Sequence, residues 1–462
     1  MTQNGPKSLW NALTTTVNAS DSFVSGGKAR IARAKLLKSS ILGGRAEELR
    51  GKSVVLMTAD QFSTALALFE LDGLARRIAI CPSDFRLDSL PRVLDATGAD
   101  ALISDRTGTA FGSIQLLSPR PNHLVPQNCD RSRPEPTEWI TFTSGTMGFP
   151  KLVVHSLASL TGAIDTSTPA SRVVWGTLYD IRRFGGLQVF LRAALTGASL
   201  ALPAPREPAT SYLARAGALG VTHISGTPSQ WRSALIAGAA GFIAPEYLRL
   251  SGEIADQAIL NHLRAAFPQA AVVHAFGSSE AGTVFEVRDG AAGFPADLLE
   301  NAPQVELKVE NGTLRVRSDR TARSYLGIYA PPLKDADGFV DTGDAVGLRD
   351  GRYHFAGRRD ARINVGGLKV HPEEVEAVIN RHPDVRMSLV RSRKSPVTGA
   401  VVAADVVLCA QPQPGSGGKP ALRNQILQFC HASLAAHKVP AVIRFVPSLA
   451  IAESGKIARD GK

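Results

Sequence analysis

Cysteine is scarce and scattered. The four in 462 residues, Cys81, Cys129, Cys409 and Cys430, form no Cys-x-x-Cys pair and have no histidine pair nearby. That excludes a disulfide framework and a zinc site, leaving four reduced, structurally ordinary thiols. Long apolar runs are missing too; stretches such as VVAADVVLCA are too short and too interrupted to cross a bilayer, so no membrane span is expected. The opening MTQNGPKSLWNAL has neither an apolar h-region nor a small-residue cleavage site, and a cytoplasmic protein is the expectation. No Lys/Arg-rich run interleaves with aromatics, and the basic clusters at 131–133 and 391–394 are short. The formal charge of +11 favours anionic partners in general, without selecting nucleic acid, and no nucleic-acid partner is expected. No internal repeats occur. No Cys-His or Ser-His-Asp constellation stands out, so a protein nucleophile is not expected.

What is there is a soluble-type mix, 44% hydrophobic and 20% charged, long enough for two or three domains. Over the first three-quarters, apolar strand-like runs alternate with helical patterns. SVVLM precedes a helical stretch from about Asp60 to Leu74, and ARRIAIC follows; VTHIS, PSQWRSALIAG, YLRLS, ADQAILNHLRAAF and AVVHAF repeat the rhythm. Such alternation predicts an α/β fold with parallel-rich sheets and crossover helices. Phe184, Leu187, Phe190, Leu191 and Ala194 lie at helical spacing, a stripe read as core. After about residue 300, VELKVE and TLRVRS flank Asn311-Gly312, a hairpin signal. From about 361 a smaller α+β unit is expected. His371-Pro372-Glu373-Glu374 opens a helix, RMSLVRS and VVAADVVLC read as strands, and a last helix runs from about Ala421 to Ala435.

Chemistry concentrates in ITFTSGTMGFPK, residues 140–151. A strand runs into glycines and hydroxyls that can wrap a phosphate, and Lys151 adds a point charge. The spacing is not Walker A, since Gly145 and Gly148 are too close and no Ser or Thr follows Lys151. Four more segments follow in order: HAFGSSEAG (274–282), DTGD (341–344), GRRDARINVGGLKVHPEEVE from residue 357, and ESGKIARDGK at the end.

Together these five segments resemble the motifs of the adenylate-forming superfamily: acyl-CoA synthetases, peptide-synthetase adenylation domains and firefly luciferase. The matches cover residues 140–460. The resemblance implies a large domain, 1–359, and a mobile C-terminal lid, 360–462, hinged near Asp360. It implies ATP-dependent activation of a small-molecule carboxylic acid to an acyl-adenylate, with transfer to coenzyme A. An acyl carrier protein's phosphopantetheine arm is the alternative acceptor. Carried over by position, Thr143, Ser144, Gly145, Thr146, Gly148 and Lys151 would hold phosphate. Phe276 would stack on adenine beside Gly277, Ser279 would contact phosphate, and Glu280 would ligand Mg2+. Asp344 would accept the ribose hydroxyls, Arg358 would meet the nucleotide, Gly366 and Gly367 would line the thiol tunnel, and Lys456 would be the adenylation lysine. Met147, Leu152 and the segment SGEIADQ depart from the usual pattern without losing a charge. A nucleotide-binding protein without turnover, or an oxidative luciferase, are the different-class readings. The intact set Lys151, Glu280, Asp344, Arg358 and Lys456 opposes the former, and nothing points to oxygen chemistry. In LYDIRRFGGL (178–187), Arg183 and Phe184 are expected near the acyl pocket, with Trp231 as another wall, favouring a small to medium, aromatic acid. Arg183 could pair with a second substrate anion or with Asp180. The oligomeric state is left open.

Overall fold

The computed structural model describes residues 8–16, 22–106, 114–143, 150–167, 170–327, 330–395, 398–410 and 418–459. Two large sheets organise the first part of the chain. The first has seven strands. Its parallel stretch runs through Glu138–Thr143, Arg77–Ile80, Ser53–Met57, Ala101–Ser104 and Gln115–Leu117, and the antiparallel strands Lys151–Ser156 and Ser324–Leu326 close one edge. The second has eight strands, parallel through its middle and antiparallel at both edges, where Gly282–Val287 and Ala29–Ala32 lie. The expected α/β architecture is therefore present.

Local chemistry explains the helices that join these strands. Asp60 caps Gln61–Leu71 by accepting from Ser63 N, and Asp256 caps Gln257–Ala266 by accepting from Ile259 N. The Thr-x-x-Gln sequence at 227–230 forms a full capping box ahead of Pro228–Ile236. The stripe at helical spacing lies on Phe184–Thr196, with Leu187, Phe190, Leu191 and Ala194 buried. That helix and Gln61–Leu71 share one core between the two sheets, where Phe190 meets Phe69 edge-on at 5.2 Å between ring centroids.

A five-stranded antiparallel sheet follows, with the Glu306–Glu310 and Thr313–Arg317 hairpin turning at Asn311-Gly312 as its sequence predicts. Its long pair, Val340–Arg349 and Arg352–Arg358, ends in a single tight turn at Arg359–Ala361. From Ile363 onward the buried residues form a separate core, which includes Val375, Val390, Val406, Ile426 and Ile443. The helices Pro372–Ile379 and Gly418–Ser433 pack there on the strands Val385–Ser395, Gly399–Leu408 and Val442–Phe445. A cavity of about 410 Å³ separates this unit from the five-stranded sheet, lined by Thr313, Val346, Arg349, His371 and Lys438 among others, and by none of the candidate site residues.

Phe190 has no exposed surface and sits where helices from both sheets meet. Phe190→Ala should therefore cost about 3–5 kcal/mol of stability, read as a lowered urea midpoint at unchanged slope. A loss under about 1 kcal/mol would show that the two sheets do not depend on this contact.

Candidate active site

Thr143 and Lys151 stand opposite each other, as the last residue of Glu138–Thr143 and the first of Lys151–Ser156. Ser144, Gly145, Thr146 and Gly148, the rest of the candidate phosphate loop, lie outside the described residues. Beyond Lys151 the edge strand Ser324–Leu326 brings Tyr325 alongside. The Lys151 ammonium lies 4.8 Å from the centre of the Tyr325 ring, and the Tyr325 hydroxyl donates to Glu280 Oε1 at 3.2 Å. Glu280 follows Ala271–Ser278, a strand of the other large sheet, so the two sheets meet at this point. Tyr325 was not singled out from sequence, because nothing in SYLG marks it.

The backbone at Ser279 and Glu280 is held from beneath. His155 Nε2 donates to the Ser279 carbonyl at 2.6 Å, its Nδ1 bonds Ser159 Oγ at 3.1 Å, and its ring stacks on Phe184 at 6.0 Å. Burial pushes the imidazole down to about 4, so it stays neutral. Phe276, expected to meet adenine, is already stacked on Phe285 and Phe355, at 5.5 and 4.8 Å between centroids. A base would join a group of rings rather than a single one. Gly277 follows at a bulge in that strand.

Asp344 and Arg358 are cross-strand partners on the five-stranded sheet. Arg358 lies 3.8 Å from Asp344 and 3.5 Å from Asp360, and donates to the Thr342 carbonyl at 2.8 Å, so it ties the ribose candidate to the hinge candidate. Desolvation raises the Asp344 carboxyl to about 6, against the opposing pull of Arg358 and Lys456. Lys456 is thus part of the same electrostatic group. It sits on the returning arm of a tight hairpin, closed by the Ile451 to Ile457 bridge and by Ala452 N donating to the Lys456 carbonyl at 2.8 Å. A Cβ built on Gly252 would lie 3.8 Å from Lys456 Cε.

Other expected positions fall differently. Gly366 and Gly367, with φ of +56° and +89°, form the tight turn between Ile363–Val365 and Leu368–Val370. That turn by itself requires glycine. Arg183 pairs with Asp84, its Nη2 2.6 Å from Oδ2, and not with Asp180, which is taken by the buried Arg182 at 2.7 Å. Phe184 is the half-buried first residue of its helix. Trp231 has no exposed surface and packs edge-on against Phe267 in an interior cluster, with Leu178 and Gly226 layered against it. It is part of a core cluster. Among the described residues no group of three or more His, Cys, Asp or Glu side chains could hold a metal by itself. Glu280 offers one half-buried carboxylate, the donor that Mg2+ takes when nucleotide oxygens supply the rest.

The matches to known proteins agree with this geometry. The profile of the AMP-binding enzyme family covers residues 67–326, and that of the AMP-binding enzyme C-terminal domain covers 374–456. The chain belongs to the AMP-binding enzyme family. It is an adenylate-forming enzyme, an AMP-forming acid–thiol ligase in type. It is similar to the mitochondrial acyl-coenzyme A synthetase ACSM5 of Mus musculus, at 26% identity over 80% of this chain and 69% of that one. The 2-succinylbenzoate–CoA ligase of Salmonella typhimurium is 31% identical over 54% of each chain. Among solved structures, the anthranilate CoA ligase AuaEII in complex with anthranoyl-AMP superposes with a TM-score of 0.79 at 19% identity, covering 97% of this chain and 95% of that one. The o-succinylbenzoate CoA synthetase of Bacillus subtilis, with its acyl-adenylate, gives 0.70 at 18%, covering 98% of each. No helix among the described residues is long and apolar enough to cross a membrane.

His155 also makes a measurable demand on the fold. A histidine held below its unfolded value stabilises the folded state fully above about 6.5, and that contribution is lost as pH falls toward 4. Replacement by glutamine removes the titration. Between about pH 7 and pH 4.5, His155→Gln should lose about 2 kcal/mol less stability than the parent protein in urea melts. Parallel pH profiles would show that the imidazole is not the titrating group.

Proposed function

We propose that this chain activates a small to medium, aromatic carboxylic acid with ATP and passes the acyl group to coenzyme A, releasing AMP. The observation that carries the reading is the position of Lys456, brought from the last residues of the chain to within the field of Asp344 and against Gly252. A carboxylate cannot expel oxide, so it must first be made into a mixed anhydride. Its attack on the α-phosphate of ATP forms the acyl-adenylate and releases pyrophosphate. Charge builds between the carboxylate and the α-phosphate, where a preorganised ammonium is worth most. Lys456 fills that role, and Lys151 meets the departing phosphates. Mg2+ held by Glu280 would neutralise charge on those phosphates. Asp344 orients the ribose, and Arg358 bridges it toward the nucleotide.

In the second half-reaction the lid turns about Asp360, Lys456 withdraws and the thiol enters past Gly366 and Gly367. The choice of coenzyme A over a carrier protein follows the acyl- and aryl-CoA ligases that this chain resembles. The aromatic preference is supported by Phe184, whose ring, stacked on His155, adjoins the Ser279 and Glu280 backbone, and by the aryl acids named for two of the neighbours. Arg183, engaged by Asp84, is less free to meet a substrate anion.

Lys456→Ala should lower ATP–pyrophosphate exchange by about a hundredfold or more, some 3 kcal/mol, while thioester formation from pre-made acyl-adenylate and coenzyme A persists. Normal exchange in this variant would remove Lys456 from the chemistry. A carrier protein that accepts the acyl group when coenzyme A does not would reverse the acceptor. In exchange assays over benzoate-like, short-chain, dicarboxylic and long-chain acids, the aryl acids should turn over best. Efficient use of palmitate-length chains with aryl acids inert would overturn the substrate reading.

A further inference from the structure

The two residues that flank Lys456 are each held by the large domain. On one side, the Thr227 hydroxyl donates to the Gly455 carbonyl at 2.5 Å, while the same oxygen accepts from Gln230 N as the cap of its helix. On the other side, Ile457 N donates to Glu253 Oε1 at 3.1 Å. The second oxygen of Glu253 accepts from Ser229 N, in the first turn of the Thr227-capped helix, at 2.9 Å. Both carboxylate oxygens are therefore engaged, one by the hairpin that carries Lys456 and one by the rigid element beside it. Gly455 fits this arrangement for a steric reason. Its φ is +80°, and a Cβ there would lie 2.6 Å from Gln230 Nε2, the amide that donates to the Leu178 carbonyl.

Glu253 has no place in the chemistry itself. Its segment, SGEIADQ, is where the sequence departs from the usual Gly-Gly pattern, and its side chain points to the lysine hairpin rather than to Glu280 or Asp344. We infer that Glu253 is a positioning residue, a carboxylate latch that docks the hairpin at residues 451–457 and so sets Lys456 for adenylation, with Thr227 as its neutral partner. This rests on the reading of Lys456 given above. The hydrogen bonds involved join segments more than two hundred residues apart, so they break as a group if the lid turns. Loss of the latch should therefore harm the first half-reaction and not the second.

The test compares Glu253→Ala, Glu253→Gln and Lys456→Ala in three readouts. These are ATP–pyrophosphate exchange, thioester formation from pre-made acyl-adenylate, and trypsin cleavage after the exposed arginines at 358, 359 and 362, which reports lid docking. Glu253→Ala should lower exchange by about tenfold or more, keep the thioester step within about twofold, and speed cleavage at the linker. Glu253→Gln, which retains one carbonyl acceptor, should fall between Ala and the parent. Exchange within twofold of the parent in Glu253→Ala, while Lys456→Ala has lost it, overturns the latch and leaves the lysine assignment standing. An equal fall in both half-reactions makes Glu253 a folding residue and also overturns it. If Lys456→Ala exchanges normally, the lysine assignment fails, and linker cleavage decides the latch: an unchanged rate in Glu253→Ala rejects docking, and a faster one supports it.

Discussion

On the proposed reading, the Lys456 cation must stand in the field of Asp344, a carboxylate on the distant strand Val340–Arg349. The backbone around Lys456 meets that demand by hydrogen bonding to Thr227 and Glu253. The neighbouring contact is of the same kind: Asn380 of the lid donates to Asp256 Oδ2 at 3.2 Å. Asp256 is the cap of a helix in the large domain and also pairs with Arg232 at 2.6 Å. Fixed helix caps thus serve as docking points for the lid, because their side chains are already held by the amides they cap.

The charges of the site reinforce one another without a ligand. Asp344 is held at about 6 because burial outweighs the pull of Arg358 and Lys456. Burial, and then Glu280, push the Tyr325 hydroxyl well above its ordinary range, so it remains a donor to that carboxylate and never competes with it as an anion. A polyanion arriving beside Arg358 and Lys456 would bring negative charge next to Asp344, an acid that is already desolvated. A divalent cation on Glu280 would offset that repulsion, which gives the Glu280 assignment a physical reason beyond its position in a motif.

Much of this was legible in the sequence because the information is local. Asp60 and Asp256 announce helix starts, Asn311-Gly312 announces a hairpin, and the alternation of strands and helices announces parallel sheets. The candidate site was legible only as five segments, since what unites them is tertiary. Nothing near Arg183 indicates that Asp84, 99 residues earlier, takes its charge, and adjacency favoured Asp180, which Arg182 occupies instead. For Trp231 the sequence shows a helix after SGTPSQ but not the interior cluster with Phe267 in which that side chain is buried. Tyr325 and His155 carry no motif and appear only once strands from different sheets are brought together, while Glu253 lies in the departing segment SGEIADQ and shows its partners, Ser229 and Ile457, only in the fold. The capping box at Thr227 was visible in principle, as a Thr-x-x-Gln sequence ahead of an apolar run.

The same structure gives a physical reason why the proposed lid could move. Residues from Ile363 onward keep their own core, so turning the unit exposes little of it. What breaks is a small group of hydrogen bonds, each worth about 0.5–3 kcal/mol net, with the charge-assisted one at Glu253 toward the upper end. That sum is comparable to the differential affinity of a ligand for two conformations. An apolar interface of the same extent would hold the lid closed after the adenylate had formed, and the thiol would have no route in. The proposed polar latch would be strong enough to aim Lys456 and weak enough to be released by the substrate that replaces it.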